Sequence, residues 1–480
     1  MKHQRIYRMI ASAIVLGLLA GCAVGPDFKR PPAPAVAAYT PTPLTVLTAS
    51  APTTLGEAQR LIEGAPVNPQ WWQDLGSVRL NALIDEALQA SPTLSAAEAT
   101  LRQAQERYTA QAGSTLYPQA EANLTGQRQR FNPNSSGLVG DAREFGLYNT
   151  SVGVRYNLDL AGGNRRALEA LAARSDYQRY QLEGMRLTLV GKIVSTVVTQ
   201  AKLAAQIQAT EAILHAQEEQ LDIAKERVRL GQAAPDEVLP LQTQIEHVRA
   251  GIPLLRNQLQ QSQHLQAVLS GRTPGTGDIP SFTLQEFTLP SALPLIVPSE
   301  LVRARPDIQA AEALLHAANA EYGVAVANLY PQLNLSANLG SQALTTGTLF
   351  GRGSAVWDLV GQLTQPLFNP GLPAEKRAAL AAFDAAAANY QSVVLESLRN
   401  VADVLRALEN DAERLTALSA ADAAAQNSLA SMQRQYQLGA TSYVQLLIAQ
   451  QQAQQTQIDL IEVQAQRLVD SAALYQAMGG

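Results

Sequence analysis

The chain has one cysteine in 480 residues, Cys22, so an internal disulfide and a thiolate metal cluster are both closed to it. Aromatic residues make up only 5%, which argues against bulky globular cores. The net charge is −5 and the pI about 5.7, and no basic stretch offers a nucleic-acid footprint. Beyond Cys22 no apolar run reaches the ~20 residues that a spanning helix needs. Catalytic patterns are missing as well. His3 lies at the start, and His215, His247, His264 and His316 are scattered through helical runs without an i, i+4 pair or an H-E-x-x-H motif. Gly162-Gly163 lacks the Gly-x-x-x-x-Gly-Lys-Ser/Thr frame of a phosphate loop. The chain reads as neither an enzyme nor a nucleic-acid binder, with no metal and no dissociable cofactor.

What is present begins at the amino terminus. Lys2, Arg5 and Arg8 precede an apolar run from Met9 to about Ala20. A basic start and a short apolar run make a secretory signal peptide, residues 1–21. It ends in Leu19-Ala20-Gly21-Cys22, which resembles a bacterial lipobox. Cys22 is therefore expected to carry covalent lipid, since stable anchoring takes more than one acyl chain. Ala23, rather than an aspartate, follows it, the pattern of delivery to the outer membrane. The prolines after Phe28 suit an extended strap.

The rest of the chain is written twice. "SPTLSAAEATLRQAQERYTAQAGSTLYPQAEANL" from Ser91 matches "RPDIQAAEALLHAANAEYGVAVANLYPQLNLSANL" from Arg305. Leu230-Gly231 matches Leu438-Gly439, and Gly271 matches Gly479. A unit of ~200 residues is too long for a solenoid repeat. The division is 22–77 as an amino-terminal strap segment, 78–271 as repeat 1, 272–298 as a Pro/Gly-rich linker and 299–480 as repeat 2.

Each repeat opens with a helical run, Val78–Leu116 and Ser299–Leu329, ended by Tyr-Pro-Gln because the residue before proline leaves the α region. Two stretches of period two follow in each, about 118–131 and 146–160, then about 331–344 and 355–368. Ala120, Ala122 and Leu124 alternate with Glu121, Asn123 and Thr125, and the same grammar recurs around Val152–Leu158 and Leu333–Leu339. This predicts amphipathic strands long enough to cross a bilayer at a tilt, joined by polar loops over 131–145 and 345–354. Very long helices follow, from Arg165 to about Leu230 and from Ala374 to about Leu438, ~65 residues or ~100 Å each. Each turns at a tip, near 231 and near 439, and returns as a shorter helix of ~35 residues.

Four amphipathic strands cannot close a barrel, and lipid tolerates no open edge. Two chains would give eight strands and a filled interior; three would give twelve and a lumen, which suits the small polar inward face. Helices rich in Ala, Gln and Leu pack as coiled coils, and the first and last helices of a repeat have the summed length to stack end to end along the long one. A soluble β-sandwich leaves the lipobox and the helix length unexplained. At the tips, Gly231 and Gly439 suit the left-handed residue past a helix end. Pro235, Asp236 and Glu237 suit the first turn of the next helix, and Ser442-x-x-Gln445 has the spacing of a capping box.

These residues together resemble a TolC-type outer membrane factor, of the lipoprotein, NodT-like branch that pairs with RND pumps. The resemblance is carried by Cys22-Ala-Val-Gly-Pro-Asp-Phe-Lys-Arg-Pro, Trp71-Trp72, Asn157-Leu-Asp-Leu-Ala-Gly-Gly-Asn-Arg-Arg, "LPSALPLIVPSELVRARPDIQAAEALL", "NLYPQLNLSANLG" and "LGATSYVQLLIAQQQ". It implies an α+β homotrimer: a twelve-stranded outer-membrane β-barrel continuous with an α-helical coiled-coil periplasmic tunnel. It implies a passive efflux duct whose partners are a periplasmic adaptor, an inner-membrane RND pump and outer-membrane lipid. Leu230, Gly231, Leu438, Gly439 and Ala440 become the expected adaptor-docking tips. Relatives often close the channel with acidic residues six and nine positions past the second tip glycine; here these are Gln445 and Ile448. The expected gate is therefore apolar, Val444 and Ile448 with Gln445 hydrogen-bonding, and Asp236 and Glu237 supplying charge from the first tip. A duct for type I protein secretion and a lumenless lipoprotein fibre are the rival readings.

Overall fold

The computed structural model describes residues 23–480 apart from 134–136, 138, 233 and 278, so Cys22 and the signal segment lie outside the described residues. The chain forms two compact units. One gathers the residues up to Pro31 with Thr100–Arg179 and Ala310–Tyr390; the other gathers Pro32–Ala99, Tyr180–Gln309 and Gln391–Gly480.

The first unit holds a four-stranded antiparallel sheet: β2 (Gln119–Phe131), β3 (Arg143–Leu158), β5 (Gln332–Ala343) and β6 (Ala355–Thr364), in that spatial order. The register runs without a bulge, so one face is constant along every strand. That face carries Leu124, Val152, Leu339, Trp357, Leu359 and Leu363, all more than half exposed. The other carries Glu121, Arg155, Asn157, Asn334, Asn338 and Asp358, with Asn157 bonded to Asn334 and Asn338 to Asp358. β2 and β6 leave one edge each unpaired in the chain. The strands begin and end within a few residues of the expected positions, but the first hairpin is longer than expected: Phe145 lies inside β3, not in a loop.

The remaining strands, β1 (Arg60–Glu63) and β4 (Ala292–Leu295), pair in parallel within the second unit, joining the strap segment to the inter-repeat linker. Around them lies the main apolar core, with Trp71 stacked on Tyr475 at 5.3 Å. Two helical runs read as single helices are in fact broken. The first is α1 (Val78–Ala90) followed by α2 (Pro92–Thr115). The long helix of repeat 1 is α3 (Gly163–Arg229), and α4 (Val238–Leu269) returns from it. The second break separates α5 (Pro298–Ala304) from α6 (Pro306–Ala327). The reason is the one that ends the runs at Tyr-Pro: Ser91 and Arg305 each precede a proline and adopt extended ψ, 118° and 124°. Repeat 2 then runs through α7 (Gly371–Gln437) and α8 (Tyr443–Ala477).

By composition α3 does hold a stretch apolar enough to cross a bilayer, contrary to the reading of the sequence, but more than half of it is buried in the structure. Its Val190, Ile193, Val194, Val197, Val198 and Ala201 belong to the main core. The return helix α4 lies antiparallel to α3, fixed by Gln200 to Ser262 at 3.2 Å, Glu211 to Arg256 at 2.6 Å and Glu218 to Arg249 at 2.7 Å. Past its far end Gly271 meets Ala90, the last residue of α1. Repeat 2 reproduces the contact with Gly479 against Ala304, the last residue of α5.

Candidate functional site

The two helical tips are built alike. Gly231 takes φ 71°, its N–H donates to Val228 O at 3.0 Å, and Gln232 N–H donates to Arg227 O at 2.8 Å. Gly439 takes φ 71°, donates to Tyr436 O at 3.0 Å, and Ala440 N–H donates to Gln435 O at 2.8 Å. These are paired Schellman bonds, which satisfy the last carbonyls of α3 and α7. Among the described residues no atom crowds either glycine, so backbone sign alone demands it. The leucine before each glycine points outward: Leu230 is 53% and Leu438 83% exposed.

Behind the tips four helices share one small core. Leu221 and Ala224 of α3, Leu241 and Ile245 of α4, and Tyr443 and Leu446 of α8 pack together, with Leu429, Met432 and Tyr436 of α7 against them. Tyr436 is the hub. Its hydroxyl donates to the Glu237 carboxylate at 3.2 Å, the Arg227 guanidinium lies over its ring at 5.1 Å, and Tyr443 meets it edge-on at 5.9 Å. Burial first, then the negative charge of Glu237, pushes the Tyr436 hydroxyl above its ordinary pKa. Glu237 thus belongs to a link between the tips, and Asp236 beside it is exposed. Nothing local marks Tyr436, because only the fold brings it across from the other repeat.

On α8, Val444 and Ile448 lie one turn apart and are 61% and 49% exposed, so their shared face is uncovered in the single chain. Gln445 is exposed beside them. The expected capping box is half formed. Ser442 Oγ accepts from Gln445 N–H at 3.4 Å, but the Gln445 side chain accepts from Thr441 Oγ1 instead of reaching back to the Ser442 backbone. Further along, Gln450 donates to Gln220, and Gln451 to Gln244 at 3.1 Å. Neither amide atom of Gln217, nor Gln450 Oε1, nor Tyr443 Oη has a partner among the described residues, although all are buried.

A second built feature holds the start of the described chain. The guanidinium of Arg166, at the head of α3, is buried. Its Nη2 donates to Asp27 at 2.7 Å and to Gly25 O at 3.3 Å, its Nε to Val24 O at 3.3 Å and its Nη1 to Glu169 at 2.7 Å. His316 of α6 meets Glu169 at 2.8 Å and stacks on Phe28 at 4.3 Å, and Asn319 donates to Pro26 O at 3.0 Å. Burial raises the Glu169 carboxyl, but hydrogen bonds from Arg166 and His316 outweigh it and hold the group below its ordinary range. Residues Ala23–Phe28 are therefore clamped beside Ala161 and Gly162, at the foot of β3.

An open-edged sheet with one apolar and one polar face, carried on the same chain as two long helical hairpins with solvent-facing Leu-Gly tips, defines the protomer of an outer-membrane channel. The sequence model of the outer membrane efflux proteins matches residues 83–271 and again 297–480, one match per repeat. The chain belongs to this outer membrane efflux protein family. It is 28% identical over 468 residues to the solvent efflux pump outer membrane protein SrpC of Pseudomonas putida, covering 96% of both chains. It is 30% identical over 423 residues to the pyoverdine export outer membrane protein OpmQ of Pseudomonas putida, covering 86% of this chain and 88% of that one. Among solved structures it superposes on the outer-membrane channel OprN with a TM-score of 0.86 at 25% identity, covering 96% of this chain and 99% of the other.

Proposed function

We propose that three copies join β2 and β6 edges into a twelve-stranded barrel, and that the trimer is a passive duct for small-molecule efflux rather than an enzyme. The observation that carries this is the four-stranded sheet, whose apolar face and two bare edges are uncovered in one chain; lipid tolerates neither an open edge nor a polar outward face. SrpC and OpmQ, named for solvent efflux and pyoverdine export, favour small-molecule cargo over secreted protein. Leu230, Gly231, Leu438, Gly439 and Ala440 offer the docking tips for a periplasmic adaptor, which couples the duct to an inner-membrane RND pump. Lipid on Cys22 is the second tether, and the Arg166 clamp on the residues just after it fixes where that tether leaves the protein.

The gate is the apolar pair Val444 and Ile448, which three copies bring to the axis, with Gln445 beside it. Hydrophobic constrictions close by excluding water. Val444→Ser with Ile448→Ser is expected to raise the single-channel conductance of purified trimers in planar bilayers roughly severalfold. An unchanged conductance would remove the apolar pair from the gate, and absence of any channel would overturn the duct.

A further inference from the structure

The strand order decides which helices lie at the flanks of the first unit. α2 leads into β2, α3 leaves β3, α6 leads into β5 and α7 leaves β6. β3 and β5 pair at the centre of the sheet. The helices joined to them pair as well: Arg174 of α3 meets Glu321 of α6 at 2.5 Å, and Glu169 meets His316 at 2.8 Å. α2 and α7 therefore flank the unit, each beneath one bare edge of the sheet.

Charges are handled differently on the inner and the flanking helices. Within this unit every charged side chain of α3 and α6 has an ionic partner: Arg165 with Asp159, Arg166 with Asp27 and Glu169, Asp176 with Arg179, and Glu312 with Arg30 complete the set. On α2 Arg102, Glu106 and Arg107, and on α7 Glu375, Lys376, Arg377 and Asp384, have no side-chain ion pair or hydrogen bond among the described residues. Arg107 lines the groove that α2 shares with α3 and α6. Arg102 and Glu106 lie one turn apart on the other, exposed side of α2, with Thr109, Ala110 and Gly113. On α7 Tyr390 is buried and Phe383 half-buried, and the opposite side carries Arg377 and Asp384 among Ala374, Ala378, Ala381 and Ala385, all exposed. A helix face kept in water is richer in polar side chains than this alanine face, and small residues let a second helix approach closely.

The two faces match. α2 runs toward the sheet and α7 away from it, so the two lie antiparallel when they come from adjoining copies. Arg102 and Asp384 each lie thirteen residues, ~20 Å, from the end of their helix nearest the sheet. Glu106 lies nine residues and Arg377 six from the same ends, a difference of ~4.5 Å that an arginine side chain spans. Opposite charges thus meet at both levels.

We infer that α2 of one copy seats against α7 of the next, with Arg102 paired to Asp384 and Glu106 to Arg377, so that the β2–β6 seam of the barrel continues below the sheet. This rests on the trimer proposed above. The occupant of each face is a second copy of this chain, because joining β6 to β2 brings these two flanks together. Such a contact is heterologous, and a heterologous contact that closes makes a ring. The paired charges set the axial register of one copy on the next.

Charge exchange in the full-length protein tests this. Asp384→Arg alone and Arg102→Asp alone are each expected to lower the temperature at which detergent-solubilised trimers dissociate, and the loss is expected to shrink in about 1 M salt. The double exchange, Arg102→Asp with Asp384→Arg, is expected to recover most of it. Cys22 is the only native cysteine, so Arg102→Cys with Asp384→Cys is expected to give bands of two and three chains on a denaturing gel after a short bis-maleimide. Either single cysteine variant and the parent protein are expected to give none. Intact trimers in which the double exchange melts no higher than the single variants, or in which the cysteine pair stays unlinked, would overturn the seam and leave the trimer standing. A parent protein that purifies only as a monomer would instead refute the trimer, and the seam with it.

Discussion

Replacing Arg467 with alanine is expected to leave little folded channel. This arginine of α8 is 1% exposed, deep in the second unit. Its Nη1 donates to Leu55 O at 2.7 Å, and its Nη2 to Glu57 O at 2.9 Å and Gln59 Oε1 at 3.3 Å. One turn on either side, Gln464 donates to Thr53 at 2.9 Å, and Ser471 Oγ accepts from Gln59 at 2.9 Å. One face of α8 thus grips the strap loop, which turns through Leu55 at a φ of 56°, a backbone sign that leucine resists. Truncation strands two carbonyls in the interior and removes the cation beside Asp470, and breaking such a buried set costs about 3–5 kcal/mol. Trimer yield and thermal melting in detergent measure the loss.

The neighbouring carboxyl is expected to respond in the opposite sense. Asp470 is 5% exposed, and its Oδ2 has no hydrogen-bond partner among the described residues. Burial first, and then the Asp411 carboxylate, push its pKa well above the usual carboxylate range; the charge of Arg467 offsets this only in part. A carboxyl whose folded pKa is raised holds its proton in the folded state where the unfolded chain has released it. Its contribution to stability is therefore lost as pH rises from about 4 towards the raised value. Asp470→Asn is expected to melt higher than the parent at pH 7.5, with the advantage shrinking as pH falls to about 4. A lower melting point at pH 7.5 would mean that the carboxylate is needed as a charge.

The second large effect is expected at Gly271 and Gly479. Both take positive φ, 75° and 85°, past the ends of α4 and α8. A methyl group on Gly271 would stand 2.6 Å from the Ala90 carbonyl oxygen, and one on Gly479 2.7 Å from that of Ala304. These are backbone atoms just before the two X-Pro breaks, and neither can step aside alone. Left-handed backbone costs alanine about 1–2 kcal/mol, and the contact adds to it. Gly271→Ala is expected to lower the stability of the channel by about 2–4 kcal/mol. Gly231→Ala, at a tip with open space around it, should show only the backbone part of that cost.

Much of this architecture is legible in the chain because it is written in local signals. Strands announce themselves by period two, helices by length with few Gly or Pro, and the four helix ends by a glycine that only a left-handed turn requires. The breaks at Ser91 and Arg305 carry the same X-Pro signal as the Tyr-Pro stops, but it is masked because the helical pattern resumes at once. Other features are not local. An arginine within a helix reads as a solvated charge, so nothing local marks Arg166 and Arg467 as clamping segments that lie 139 and 412 residues away. Glu237 looked like free charge at an opening, because its partner Tyr436 belongs to the other repeat. Phe145 falls at the end of the expected loop over 131–145, because the start of β3 is defined only once β2 and β3 are in register.

The partnerless amide of Gln217, with Gln450 Oε1 and the Tyr443 hydroxyl, has an energetic meaning for the tips. A buried polar group left without a hydrogen bond costs about 1–3 kcal/mol, and the main core around Trp71 is more than twenty side chains deeper in apolar residues. Any slight parting of α8 from α3 that admits a water molecule recovers part of that cost. The junction behind the tips therefore resists local opening less than one with every buried polar group satisfied would.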